Sequence, residues 1–459
     1  MSVPVLESRN PHDDSVIATY PIHSAAAVED ILGSVHTEQL RWRKQPIELR
    51  VKLLELVGAA LRDTVEEHAQ LISREMGKPI KQARGEVEKS ALLCDYYAQH
   101  AARFLGDQRM ATEAEQAAVV FRPLGVVLAI MPWNFPYWQA IRFAIPAIAA
   151  GNAIVLKHAA NVTGCALAME KLMQECLPQH LFRALLVRSD RMSEVIADSR
   201  IAAVTFTGST EAGRKVGAAA GHALKKAVLE LGGSDPYIVL ADADIEHAAK
   251  VCAAARLTNS GQSCVAAKRF IVVDAVHDRF VEAFARELSQ RKVGDPLKMD
   301  TDVGPLARAD LVVEIDQQVQ RTIAEGARLV LGGKRPSGPG AYYPPTLLVD
   351  VEPGMTAARE ELFGPVAPVI RAASTEQALA LANDSEFGLG GAIFTADTAK
   401  GWRLACDELD TGAVAVNAQL VSDPRLPFGG IKNSGFGREL GEYGIREFVN
   451  VKAVSRFKV

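Results

Sequence analysis

Cysteine is scarce and scattered. The six are Cys94, Cys165, Cys176, Cys252, Cys264 and Cys406, with no C-x-x-C pair among them. That spacing points to neither a clustered zinc site nor a disulfide framework. The chain is therefore expected to work without a metal in a reducing compartment, the cytoplasm. A charge excess is also missing: 51 basic against 55 acidic residues give a net charge of -4. No basic stripe of the kind that binds nucleic acid follows from this. There is no block of like charge, no low-complexity tract and no repeat of fixed period. Long apolar runs are absent too. Residues 144–156 come nearest, but Pro146, Gly151 and Asn152 interrupt them, and a membrane helix needs about 20 apolar residues. The N-terminus, MSVPVLESRN, lacks the apolar stretch of a signal peptide. Nucleic acid and membrane are thus excluded as expected partners, which leaves small molecules.

What is present is ordinary globular material. Of 459 residues 48% are apolar and 23% charged, enough to bury sizeable cores in two or three domains. The first hundred residues read mainly as helix: residues 50–62 carry Leu53, Leu54, Val57, Ala60 and Leu61 at helical spacing. Residues 65–75 and 81–105 continue that pattern around the breaker Gly77-Lys78-Pro79. Residues 117–130 read as two strands joined by a bend at Pro123 and Gly125. The chain then alternates: strands at 153–156, 185–187, 203–206 and 227–229, helices at 163–176 and 211–224. That alternation predicts an α/β fold with a doubly wound parallel sheet. A second alternating block spans roughly 236–421, with strands at 236–240, 269–273 and 392–394, and the tail 448–459 alternates like a strand that pairs elsewhere.

Four short motifs carry candidate chemistry. Cys264 ends the small polar run Thr258-Asn259-Ser260-Gly261-Gln262-Ser263, an approach that suits a reactive thiolate; a lone cysteine is more often a small buried hydrophobe. Glu230 ends an apolar strand before Leu231-Gly232-Gly233, where open α/β sheets keep their sites, although a solvated strand-end carboxylate has the same pattern. Asn134, within Pro132-Trp133-Asn134-Phe135-Pro136, is clamped by two prolines. A rigid side-chain amide there can serve a developing oxyanion, or the turn can simply bury two rings. Gly208-Ser209-Thr210-Glu211 follows a strand and opens a helix. Such a start can hold a phosphate, and it is also an ordinary N-terminal cap. The G-x-G-x-x-G dinucleotide fingerprint does not occur at a strand-to-helix position.

Taken in this order the motifs stop being independent. Together with Glu360-Glu361-Leu362-Phe363-Gly364-Pro365, Asn383-Asp384 through Gly388-Leu389, and Pro427-Phe428-Gly429-Gly430-Ile431-Lys432 with Ser434-Gly435, they resemble the aldehyde dehydrogenase superfamily from about residue 10 to the C-terminus. The resemblance implies Cys264 as nucleophile, Glu230 as general base and Asn134 as oxyanion donor. It implies an NAD or NADP site that uses Trp133, Lys157, Gly208, Ser209, Glu361 and Phe363, and no metal. It also implies a Rossmann-like cofactor domain (1–108 and 124–232), an α/β catalytic domain (233–435) and a small β oligomerisation arm (109–123 and 436–459) of a homodimer or homotetramer. A CoA-acylating enzyme would lack the base, a silent member would have lost nucleophile or base, and a cysteine hydrolase would need a histidine beside Cys264; none of these fits the residues.

One departure bears on the cofactor. The family's Lys-Pro-Ser-Glu reads Lys157-His158-Ala159-Ala160 here. Without the acidic side chain that repels a 2′-phosphate, and with Lys157 and His158 beside it, NADP is expected to be accepted. This stretch, with Asn161-Val162 and Trp138, is similar to the short bacterial succinate-semialdehyde dehydrogenases, which implies succinate semialdehyde as substrate, with glutarate semialdehyde or an uncharged aliphatic aldehyde as the alternative. Asn134, Trp138 and Arg142 are spaced four apart and share one helix face. Over about 12 Å of rise, that face would set the Arg142 guanidinium to take the substrate carboxylate alongside Trp138, unless Arg142 pairs with a structural carboxylate instead.

Overall fold

The computed structural model describes residues 4–458. Two parallel-rich sheets organise it. The first has six strands, in the order Gly435–Phe436, Lys226–Glu230, Ile201–Thr207, Val126–Met131, Ala153–His158 and Phe182–Ala184. All neighbours are parallel except the two-residue first strand. The strand Val126–Met131 is buried along its whole length, as a strand covered by helices on both faces must be. The second sheet has seven strands, Arg328–Leu331, Thr346–Val349, Val366–Ala372, Arg269–Val273, Pro236–Val239, Gly390–Phe394 and Ala413–Val416, with only the first antiparallel. Its two faces bury separate apolar clusters, one around Phe270 and Phe284, the other around Ile271 and Ile315. Among the described residues no helix is long and apolar enough to cross a membrane.

The expected opening helices are present as Ala25–Trp42, Ile47–Asp63, Val65–Met76 and Ile80–Phe104. Gly77, at φ 79°, ends the third, a left-handed position that glycine takes at little cost. Ahead of them lies a hairpin, Val5–Arg9 against Val16–Pro21, which periodicity did not indicate because few of its side chains are buried. The expected strand at 185–187 lies at Phe182–Ala184 instead. Arg183 breaks the apolar run there, and pairing with Ile154, Val155 and Leu156 decides the register; Leu185 still donates its N–H to the Leu156 carbonyl.

The tail strand runs Val449–Arg456 and pairs antiparallel with Gln116–Pro123, which also pairs with Gln108–Met110. Val459 and residues 1–3 lie outside the described residues.

Candidate active site

Parallel strands bring their C-terminal ends to one edge, and that edge is where an open α/β sheet presents a crevice. Here Glu230 is the last residue of Lys226–Glu230 and pairs with Thr207, the last residue of Ile201–Thr207. Gly208 and Ser209 follow directly, and Ser209 Oγ caps the helix Thr210–His222 by accepting from Ala212 N at 3.3 Å. Asn134 lies just past Val126–Met131. Lys157 is next to last in Ala153–His158.

The opposite wall comes from the second sheet's side. The helix Ile245–Leu257 gives way to three successive left-handed residues, Asn259 (φ 51°), Ser260 (φ 56°) and Gly261 (φ 80°). Such a run is costly for non-glycine residues and needs support from its surroundings. Asn259 Nδ2 donates to the Asn134 carbonyl at 2.7 Å and to Gln262 O at 3.1 Å. Asn259 N donates to Gln82 Oε1 at 2.7 Å. Ser260 Oγ donates to Gly304 O. A Cβ on Gly261 would lie 2.2 Å from Gly364 O, so glycine is required there by close approach as well as by φ. This bend delivers Cys264 to the crevice.

Cys264 stands on the wall between two cavities. One is a cleft of about 680 Å³ bordered by Trp133, Asn134, Gly208, Ser209, Glu361 and Phe363. The other, about 310 Å³, lies on the far side of Cys264 and is bordered by Trp138, Gln139, Arg142, Lys89, Val265 and Phe428, among others. Burial pushes the Cys264 thiol up to about 11, against the pull of Arg142 and Lys268, so the resting sulfur is a neutral thiol near neutral pH. Asn134 is buried, and its Nδ2 donates one hydrogen to Gln262 O at 3.0 Å; an amide nitrogen carries a second hydrogen.

Glu230 is fully inside the protein, and neither carboxylate oxygen has a hydrogen-bond partner. A Cβ placed on Gly429 would lie 2.7 Å from Glu230 Oε1, so the carboxylate faces Gly429. It does not border either cavity. Burial, and then repulsion from Glu439, raises its proton affinity well above the ordinary carboxylate range, while Arg142 opposes the rise.

Glu361 is fixed from two sides: Gly233 N donates to its Oε1 at 3.1 Å, and Lys268 Nζ lies 3.1 Å from the same atom. Lys268, itself buried, also donates to the Ser263 and Cys264 carbonyls, tying the nucleophile's loop to the Glu361 loop. Sequence reasoning passed over Lys268 because no local pattern marks it. Phe363 meets Trp133 edge to face at 5.8 Å between centroids.

Lys157 is brought to a different hollow, about 460 Å³, shared with Ala160, Arg188 and Ser189. Its Nζ donates to Ser189 Oγ at 3.1 Å.

Two expectations change. His158 adds no charge to this hollow. Its ring is buried and sits against the Met131 and Pro136 carbonyls, and burial holds it down at about 4, so it is neutral at physiological pH. Arg142 does border the small cavity, yet its guanidinium is ion-paired with Glu439 inside the protein and lies over the Phe428 ring at 4.7 Å. The structural carboxylate that sequence alone left open is Glu439.

The helix that carries Trp138 and Arg142, Pro136–Ala149, is anchored at its start. Glu86 Oε1 accepts from Tyr137 N at 2.8 Å and Trp138 N at 3.0 Å, satisfying donors that a helix start leaves free. Glu86 is in turn ion-paired with the buried Lys78, whose Nζ lies 3.7 Å over the Phe135 ring.

The comparisons agree with this geometry. Residues 2–454 match the family described as "Aldehyde dehydrogenase family". The chain is 49% identical over 453 residues to succinate semialdehyde dehydrogenase [NAD(P)+] Sad of Escherichia coli K12, covering 98% of each chain. It is 42% identical over 449 residues to succinate-semialdehyde dehydrogenase [NADP(+)] of Mycobacterium leprae, covering 97% of this chain and 98% of that one. The fold superposes on the crystal structure of succinic semialdehyde dehydrogenase from Streptococcus pyogenes in complex with NADP+ at a TM-score of 0.96 and 36% identity, over 99% of this chain and all of that one. With a thiol on the wall between two cavities, a buried carboxylate at the neighbouring strand end and the family match along nearly the whole sequence, this chain belongs to the aldehyde dehydrogenase family.

Proposed function

We propose that this chain oxidises succinate semialdehyde to succinate with NAD or NADP as the electron acceptor. The observation that carries the reading is Cys264 standing between a large cleft and a small cavity that holds cationic side chains. The relatives named succinate-semialdehyde dehydrogenase support the substrate.

The large cleft fits a nicotinamide dinucleotide. Trp133, Glu361 and Phe363 border the same cleft as Cys264, and Gly208 and Ser209 lie at a helix start able to meet a pyrophosphate. Lys157 would meet the adenosine ribose in its own, separate hollow. When bound, the cofactor accepts the hydride released from the aldehyde carbon.

The chain's own residues do the rest. The Cys264 thiol first loses its proton to solvent. The thiolate Sγ then attacks the aldehyde carbon and gives a thiohemiacetal, whose oxyanion the free Asn134 amide hydrogen and the Cys264 backbone N–H stabilise. Loss of the hydride leaves a thioester on Cys264. Water must then attack that thioester, and Glu230 removes the water's proton. Its raised proton affinity makes it a stronger base than an ordinary glutamate. Glu230 directly precedes Leu231 and Gly232, which border the cleft, and its charge acts on the Cys264 thiol. This reading requires its side chain to turn away from Gly429 to meet the water that attacks the thioester.

The absence of an acidic residue at Ala160, with Lys157, Ser189 and Arg188 around the same hollow, supports acceptance of NADP. We assign the cofactor domain to 1–108 and 124–232, the catalytic domain to 233–435 and an oligomerisation arm to 109–123 and 436–459. The arm's sheet leaves Met110, Val451 and Val454 exposed, as an interface of a homodimer or homotetramer requires. Six free cysteines suit a cytoplasmic enzyme.

The test is a panel of aldehydes with each cofactor, followed by absorbance of the reduced nicotinamide. Succinate semialdehyde should exceed butanal in kcat/KM by about tenfold or more, and NADP should support turnover. A preference for butanal would sink the substrate assignment.

A further inference from the structure

The small cavity has three charged side chains on its wall, Glu86, Lys89 and Arg142. Two of them are balanced. Glu86 is ion-paired with Lys78 and accepts two helix N–H groups, and Arg142 is ion-paired with Glu439. Lys89 has no ion pair among the described residues. Two acids act on it through their fields: Glu86, already paired with Lys78, and Asp423, committed to a two-pronged contact with Arg425 at 2.8 and 2.6 Å.

Lys89 is held in place by polar and aromatic contacts. It projects from the helix Ile80–Phe104 on the face that also offers Gln82, Gly85 and Glu86 to the cavity, at i, i+3, i+4 and i+7 spacing. Its Nζ donates to Ser422 Oγ at 2.8 Å and lies 4.2 Å over the Trp138 ring. Trp138 Nε1 donates to the same Ser422 oxygen at 3.0 Å. Because Ser422 Oγ accepts from both, its own hydrogen is left to donate elsewhere. An ammonium has three donors, and Ser422 takes only one. The cavity thus has Cys264 as one wall residue and, as another, a fixed cation beside a hydroxyl donor, with apolar surface from Phe135, Leu420 and Phe428 around them.

Resting on the succinate semialdehyde reading, we propose that Lys89, held by Ser422 and Trp138, is the residue that recognises the substrate's distal carboxylate. A four-carbon semialdehyde carries its aldehyde and carboxylate at opposite ends. With the aldehyde at Cys264, the carboxylate needs a cation whose charge is not already spent, and Lys89 alone meets that condition on this wall. A partly desolvated ammonium gains more from a carboxylate than a solvated one does. Burial, together with Arg142, holds the Lys89 ammonium down at about 8, which marks a site where an incoming anion is welcome.

The experiment compares wild type, Lys89→Met, Lys89→Gln and Lys89→Arg in steady state on succinate semialdehyde and on butanal, with thermal melts to confirm folding. In both neutral variants the ratio of kcat/KM for the charged over the uncharged substrate should fall tenfold or more, mostly through KM. Lys89→Arg should recover a large part of it. A merely structural role would depress both substrates together. If wild type prefers succinate semialdehyde and either folded neutral variant keeps that preference, Lys89 is not the anchor. If wild type itself shows no preference, the substrate reading fails and the Lys89 assignment falls with it.

Discussion

The two cavities that meet at Cys264 are built on different principles. In the large cleft every cation on the wall is matched from within the protein, Arg359 by Asp384 and Arg308 by Asp310. Of the acids, Glu361 is paired with Lys268 and Glu360 with Arg321, while Glu314 and Glu386 have no ion pair among the described residues. What this cleft offers a ligand is shape, ring faces and a helix start. The small cavity is less than half its volume, about 310 against 680 Å³, and leaves one cation unmatched on its wall. A large dinucleotide can be held by many modest contacts. A small aldehyde offers few atoms, so selectivity has to rest on one strong charged contact.

The comparison breaks first at Cys264, which with Gln139 borders both cavities. Cys264→Ala should reduce aldehyde oxidation by at least about 10⁴-fold, since no other nucleophile stands at the junction. Cofactor binding, read by fluorescence titration with NADPH, should stay within a few-fold of wild type. Retained turnover would remove Cys264 from the mechanism.

Next in size is Glu230→Gln, which separates the two halves of the reaction. Acylation should persist, while steady-state turnover falls by about 10²–10⁴-fold, the usual worth of a general base. Rapid mixing should therefore show a burst of reduced nicotinamide, one equivalent per site, and then a slow phase. An unchanged steady-state rate would exclude Glu230 as the base.

These two residues were legible in the sequence, and the reason is local. Glu230 closes an apolar strand ahead of two glycines, and Cys264 ends a small polar run that has to bend; both patterns lie within a few consecutive residues. Asn134 was legible through its flanking prolines. The large sheets followed from alternation because their strands are apolar throughout, whereas the hairpin Val5–Arg9 and Val16–Pro21 pairs mainly with itself at the surface and leaves no such trace. Lys89 and Lys268 read as ordinary lysines, one on a helix and one beside a strand. Their roles depend on Ser422, Trp138 and Glu361, partners remote in sequence. Helical spacing put Arg142 on one face with Trp138, and both border the small cavity, but its pairing with Glu439 arises only when the chain's last fifth folds back.

A smaller effect is expected from charging the adenosine-side hollow. Ala160→Glu places a carboxylate among Lys157, Arg188 and Ser189, where it can bond ribose hydroxyls and repel a 2′-phosphate. The kcat/KM ratio of NADP over NAD should fall about tenfold or more, with substrate KM little changed. A ratio that stays put would show that position 160 does not face the ribose, and would leave the cofactor preference to the cleft as a whole.

The smallest expected effect sharpens the contrast between the cavities most directly, because it needs no substitution. Burial and Arg142 lower the Lys89 ammonium to about 8, while Asp423 and Glu86 oppose that shift. A lysine lowered in this way is charged below that pH and loses its charge above it. The substrate carboxylate is ionised throughout, since its ordinary range lies near 4. Between about pH 7 and about pH 9 the unliganded enzyme should therefore lose most of its carboxylate-binding charge, and KM for succinate semialdehyde should rise several-fold. Other pH effects are superimposed: the thiolate fraction of Cys264, whose thiol is raised to about 11, grows with pH and should make attack faster, and burial holds the Glu230 carboxyl above the ordinary carboxylate range. Those effects act equally on any aldehyde. Dividing the kcat/KM of succinate semialdehyde by that of butanal at each pH cancels them and isolates the charge on the substrate-side wall. The ratio should decline with a midpoint near 8, because kcat/KM reports the ionisation of the free enzyme. A flat ratio across this window would mean that the cation facing the substrate does not titrate there, which is the behaviour of a guanidinium, and would return the role to Arg142.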